Sequence, residues 1–307
     1  MLKSFYSGIS GLKVNQVKLD IIGNNIANVG TTAFKSSRVR FKDMVSQNVT
    51  EAAANTTSLG GVNAKQVGLG VQISGIDTIV GQGTMQPTSR NLDVAIDGEG
   101  YLIVAKGPTG GTVTLAANKV TGADTGTEIS YTRDGALIKD DAGHLVTSDG
   151  ARVMGYAIDA TGKATSTPLI SLSIPDSVPA TTGKKVTSFT IAKDGVINVV
   201  LADGTVSAVG QIAMASFSNP EGLKKTGNNL YQSTSNSGGA VVRSGLGATT
   251  DNSSGYGDML SGMLEMSNVD LSEQFTDMII AQRAFQASGK SITTGDEILQ
   301  ELIGLKR

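Results

Sequence analysis

Apolar residues near the start of this chain recur at alternating intervals of three and four. They are Leu2, Phe5, Ile9, Leu12, Leu19 and Ile26, with Gln16 and Gly23 at the two off-pattern positions. The same spacing returns at the other end, through Leu271, Phe275, Met278, Gln282, Phe285, Gly289, Ile292, Asp296, Leu299 and Ile303. A repeat of this kind keeps one side of an α-helix apolar and predicts a helix that closes along that side on another helix. At about 1.5 Å per residue the two seams would span roughly 37 and 50 Å. Asp270, followed three residues on by Glu273, is a start signal for the second helix. The first helix carries a further stripe, Val14, Val17 and Ile21, on another side. A helix with two apolar faces needs more than one partner. The two seams, with their glutamines, are therefore the candidate assembly interface. Such ends bury little as an isolated pair, so they are expected to be weakly ordered in a lone chain and to order on assembly.

Between the ends the pattern changes to short β-forming runs such as YLIV, GHLVT, VINVVLA and QIAMASF. Asp-Gly pairs lie near them at 97–98, 134–135, 149–150, 194–195 and 203–204. Asp-Gly beside such runs is a hairpin signal, and this density of them points to antiparallel pairing. Residues 107–128 and 233–257, rich in Gly, Thr and Ser, read as exposed loops, and 43–58 as a short helix. The expected fold class is α+β, with long terminal helices paired as a coiled coil flanking a mainly antiparallel β domain. The expected division is 1–28 plus 268–307 for the helical domain, 29–75 plus 255–267 as connecting segments, and 76–254 as the β domain.

Composition narrows the chemistry. There is no cysteine and one histidine, His144, which disfavours thiolate metal sites, cysteine nucleophiles and a Ser-His-Asp triad. Aromatic residues are 4% of the chain and tryptophan is absent, which disfavours stacking on single-stranded nucleic acid. Residues 284–291, AFQASGKS, fit a permissive phosphate-loop pattern, but they lie inside the second seam with no strand before them. Asp134, Asp140 and Asp141 near His144 match no calcium-loop spacing and read as turn formers. Met259, Met263 and Met266 read as packing residues at a junction. No stretch approaches the ~18 apolar residues of a membrane span, and the first 20 residues lack the apolar core of a cleaved secretory signal. Residues 1–42 carry a charge of +6 and residues 268–307 a charge of −2. A basic end of this kind fits acidic protein neighbours better than nucleic acid or membrane. The expectation is a structural chain without enzymatic activity, cofactor, metal, nucleic acid or small-molecule substrate.

Several longer strings carry a resemblance. GISGLKVNQVKLDIIGNNIANVGTTAFK resembles the N-terminal signature of bacterial flagellar rod and hook proteins. LDVAIDGEGYLIV and YTRDGALIKDDAGHLVTSDGARVMGY resemble their central β segments. FSNPEGLKKTGNNLYQST and the stretch from SGMLEMSNVD to LQELIGLKR resemble their C-terminal signature, the ending being most like hook proteins. Gly30 and Ala33 depart from a common form of the N-terminal motif, which leaves the loop after Ala27 open. The resemblance implies a subunit of the hook, the curved tube that joins motor to filament as a universal joint, with the distal rod protein as the alternative. It implies a hollow helical homopolymer, with terminal helices inside and the β domain outside. Implied partners are the chain itself, the distal rod protein, the hook cap and the hook–filament junction proteins. It also implies export through the flagellar type III apparatus without signal cleavage, to an extracellular place in the flagellum.

Overall fold

Two long helices, Leu2–Ala27 (α1) and Leu271–Gly304 (α2), stand at the ends of the computed structural model, and the regular structure described between them is strands apart from one 3-10 turn at Pro220–Gly222. The structure describes residues 2–55, 60–108, 110–116, 119–158, 168–178, 184–243 and 257–305. Spatially the chain divides into two units. One comprises Met1–Val29, Lys35–Ile79 and Val269–Arg307; the other comprises Gly30–Phe34 and Val80–Asn268. The Asp270 carboxylate caps α2, accepting from the backbone N–H groups of Ser272 at 2.8 Å and Glu273 at 3.3 Å. That satisfies two of the four donors left open at a helix start.

The first unit also contains a long two-stranded ribbon packed on α1. Strand β1 (Ser37–Asp43) and strand β2 (Ser46–Thr50) run out, and β3 (Lys65–Gly68) and β4 (Val71–Thr78) run back. β1 pairs antiparallel with β4, and β2 with β3. This corrects the short helix expected at 43–58: residues 46–50 form a strand, and Ala53 bridges to Val62 beyond it. The alanines at 52–54 favour a helix locally, but Val49 and Thr50 favour a strand and the returning β3 supplies the ladder. Residues 56–59 of that expectation lie outside the described residues. A two-stranded ribbon is marginal alone; here α1 packs along both β1 and β4. The Ser10 hydroxyl accepts from the Val71 N–H at 3.3 Å.

The second unit is an antiparallel β structure with two hydrophobic cores. Strand Tyr101–Lys106 separates them: Leu102 and Val104 face one, while Tyr101, Ile103 and Ala105 face the other. This is the period-two alternation of a strand buried on both sides. Three of the Asp-Gly pairs close hairpins between paired strands, at 149–150, 194–195 and 203–204. Gly195 has φ +80°, as a hairpin turn demands. The other two are passages between strands that pair elsewhere. At Gly135 an added Cβ would sit 1.6 Å from the Val94 carbonyl oxygen, so only glycine fits that close approach. The loop expected at 107–128 is corrected. It holds the paired strands Val113–Ala116 and Lys119–Ala123, and Val113 is fully buried. Its alternation of Val and Leu with Thr is a strand pattern that the surrounding glycines masked. Of the loop expected at 233–257, Val241–Arg243 is a strand paired with Met214–Ser216, and residues 244–256 lie outside the described residues.

Candidate assembly surfaces

The helices of the first unit run antiparallel and touch along small residues. An added Cβ on Gly8 would lie 3.1 Å from Ile292 Cγ1, and one on Gly11 would lie 3.1 Å from the Ser288 hydroxyl. The Phe5 ring sits against Gly295, where a Cβ would approach within 2.9 Å. Further along, Lys18 Nζ meets the Asp277 carboxylate at 3.1 Å. Next, the Asn25 amide donates to Gln274 Oε1 at 3.0 Å. Asn25 is 2% exposed and also clasps β1: it donates to the Ser37 carbonyl at 2.9 Å and accepts from the Ser37 N–H at 3.1 Å. One side chain thus fastens α1, α2 and the ribbon. The Lys18–Asp277 pair is partly exposed and worth little by comparison.

On α1, Phe5, Leu12, Leu19 and Ile26 are half-buried, Ile9 and Gln16 are exposed, and the side chain of Leu2 lies outside the described residues. On α2, Met278, Ile292 and Leu299 are half-buried, while Leu271, Phe275, Gln282, Phe285 and Ile303 are exposed. Within one chain α2 turns its less exposed side, Gln274, Asp277, Ala281, Ala284, Ser288, Ile292, Gly295 and Leu299, away from solvent. The spacing is again three and four, but the line is displaced from the apolar seam. Apolar residues alone could not mark it, because Gly, Ala and Ser let the two backbones approach. A row of small residues at 281, 284, 288 and 295 was the available signal.

The large apolar side chains of α2 are thereby left facing solvent. Phe275 is 51% exposed and Ile279 59% on one flank; Ile280, Ile298, Leu302 and Leu305 line another, with Leu305 83% exposed. On α1 the side turned away from α2 forms, with the ribbon, an apolar groove of about 380 Å³ lined by Tyr6, Ile9, Ser10, Lys13, Met44 and Leu69. Val14, from the second stripe, is buried at 6% exposure.

In the β unit, the segments next to the crossings into the helical unit are tied together by one buried ion pair. Arg133 Nε lies 3.0 Å from Glu265 Oε2, with the two side chains 3% and 0% exposed. Glu265 Oε1 accepts from the Gly83 N–H, and the Glu265 carbonyl accepts from the Ala33 N–H at 2.8 Å. Ala33 has φ +54°, a conformation unfavourable for alanine, and is 1% exposed. This is the turn where the motif departs from its common form. Nearby, Thr32 donates to Asp134 at 3.2 Å and its carbonyl accepts from Asn229 at 2.9 Å. Burial raises the Asp134 carboxyl above its ordinary value. Arg133 also lies over the Tyr101 ring, 5.8 Å from its centroid. Tyr101, Tyr131, Phe217 and Tyr231 form an edge-to-face cluster, and burial pushes Tyr101 and Tyr131 up to about 12.

Among the described residues no three acidic, histidine or cysteine side chains cluster as a metal site, and no helix is long and apolar enough to cross a membrane. The AFQASGKS segment lies wholly inside α2. The surfaces that stand out among the described residues are the uncovered apolar helix faces. Family profiles match at three places: "Flagella basal body rod protein" over residues 5–35, "Flagellar hook protein FlgE/F/G D1 domain" over 119–199, and "Flagellar basal body rod FlgEFG protein C-terminal" over 260–305. The chain is 44% identical to the flagellar basal-body rod protein FlgG of Bacillus subtilis (strain 168), over 307 residues that cover all of both chains. It is 30% identical to the flagellar hook protein FlgE of Borreliella burgdorferi, again covering both chains, in an alignment of 467 residues. A solved structure of the Helicobacter pylori flagellar hook protein FlgE2 superposes with a TM-score of 0.23 at 18% identity, over 69% of this chain and 47% of that one. The chain belongs to the flagellar rod and hook family of axial structural proteins.

Proposed function

We propose that this chain is a rod subunit of the flagellar basal body, polymerising with its own copies into a helical array. The observation that carries the choice of rod is length. The rod relative aligns end to end over 307 residues, whereas the hook relatives require alignments of 467 and 469. A hook relative of that size holds material that has no counterpart here. The hook reading, a curved tube acting as a universal joint, keeps support from the identity to hook proteins and from the hook-domain profile. In either place the same division of labour applies. In the array the paired helices would wind as a coiled coil, with their remaining apolar faces meeting neighbouring copies as a dry inner wall. The β unit forms the outer layer. Heterologous contacts that do not close give an open helical array. Contacts with a distal rod, hook cap or hook–filament junction protein, and passage through the type III export apparatus, belong to this proposal.

Deleting the gene and imaging the remaining basal bodies decides between the two places. Particles with a truncated or missing rod support the rod reading. Particles with a complete rod and no hook support the hook reading.

A further inference from the structure

We infer that the groove formed by Tyr6, Ile9, Lys13, Met44 and Leu69 receives the last three turns of α2 from a second copy, seated through Ile298, Leu302 and Leu305. The inference rests on the reading of this chain as a self-assembling subunit and names the two surfaces that meet.

Tyr6, Ile9 and Lys13 stand three and four residues apart on α1, on the side turned away from Gly8 and Gly11. The groove is therefore not the site of the chain's own α2. Its walls are apolar, and Tyr6 is 67% exposed, so it is uncovered in the lone chain. On α2, Ile298, Leu302 and Leu305 repeat the same spacing and are 46%, 47% and 83% exposed. A ridge and a groove with one period interdigitate when helices cross. Covering each such side chain recovers part of the roughly 1.5–3 kcal/mol of a fully buried one.

Charge selects α2 as the occupant. The charged side chain lining the groove is Lys13, and Lys42 and Asp43 are both exposed on the neighbouring ribbon. The apolar ridge of α2 is bordered at Ile298 and Leu302 by Glu297 and Glu301, both exposed, and Lys306 and Arg307 follow its last residue, Leu305. The other uncovered apolar flank of α2, around Phe275 and Ile279, has Glu273 and Asp277 beside it in sequence, Asp277 being engaged by Lys18, and is followed by Arg283 and Lys290. Within one chain, Lys13 and Glu301 belong to different levels of the antiparallel pair. Gly11 already stands beside Ser288, so Glu301 lies about 13 residues, or roughly 20 Å, further along. The match is therefore made between copies.

The absence of cysteine makes the test direct. One preparation of the full chain carries Lys13→Cys and another Glu301→Cys; they are mixed at assembling concentration and oxidised. A disulfide-linked dimer at least tenfold above that from Lys13→Cys mixed with Glu273→Cys, at the far end of α2, supports the inference. A second arm reverses charge at these solvent-facing positions, where folding is least at risk. Lys13→Glu should raise the concentration needed for pelletable polymer at least tenfold, and Glu301→Lys on the same chain should restore it to within threefold. Wild-type polymer without the cross-link and without the restoration overturns the inference and leaves the assembly reading standing. A wild-type chain that stays monomeric at every concentration overturns both. Lys13-dependent cosedimentation with phosphatidylserine vesicles, without the cross-link, overturns the inference in favour of a membrane surface.

Discussion

Changing Glu265 to Gln isolates the contribution of the buried ion pair to the β unit. The substitution keeps the side chain's size and an oxygen able to accept from Gly83 N–H, so only the charge is lost. Arg133 is then a cation at 3% exposure without its carboxylate. Removing one member of a buried pair costs about 3–5 kcal/mol, because the other charge stays buried. Arg133 retains the Ile96 and Gly98 carbonyls as acceptors, and the Tyr101 ring, which is worth about 0.5–1 kcal/mol. The expected loss is therefore about 2–4 kcal/mol. With a urea dependence of about 1–3 kcal/mol per molar, the unfolding midpoint should fall by about 1 M or more. Tyrosine fluorescence follows the transition cleanly, since the chain has no tryptophan. The double exchange Arg133→Met with Glu265→Leu removes the unpaired charge but should recover only part of the loss, since the Gly83 N–H and the Ile96 and Gly98 carbonyls lose their side-chain partners. A midpoint unchanged by Glu265→Gln would refute this account of how the segments around Ala33, Gly83 and Glu265 are held.

Alkaline pH should unfold the β unit through its tyrosines. Tyr101 and Tyr131 are raised to about 12 and Tyr231 is raised further, so the native state keeps protons that the unfolded chain loses near pH 10. Stability is then complete below pH 10 and falls above it by up to about 4 kcal/mol per pH unit for three groups. Tyrosinate absorbance at 295 nm should rise together with loss of near-UV circular dichroism, and separate transitions would contradict this. Gly8→Val should raise the concentration needed for polymer in a pelleting assay, because its Cβ meets Ile292, whereas Gly23→Ala, with open space around it, should not. In dilute solution the amides of α1 and α2 should exchange with deuterium much faster than those of strand Tyr101–Lys106, and should slow at least tenfold in polymer, as ends that order on assembly require.

Much of the architecture was legible because periodicity is a local property. The three-four spacing marked both helices, and the Asp-Gly pairs marked three hairpins. What escaped was decided by contacts distant in sequence. Residues 46–50 become a strand through pairing with 65–68, and 113–116 through pairing with 119–123. The line along which the helices meet was hidden for a different reason. It is drawn by Gly8, Gly11, Ala281, Ser288 and Gly295, whose value lies in being small, whereas an apolar pattern registers the large residues. Those large residues, Phe275, Ile280, Ile298 and Ile303 among them, lie outward and are available to other copies. The Arg133–Glu265 pair spans 132 positions and had no sequence signature at all.

The central claim is that the uncovered helix faces drive assembly of this chain into a helical polymer. Electron microscopy of the purified full-length protein across a concentration series, beside a version lacking residues 1–28, tests it most directly. The account predicts regular rods or tubes from the full chain at high concentration and only dispersed particles from the truncated one. Full-length protein that remains dispersed throughout the series, or truncated protein that still forms tubes, would contradict it.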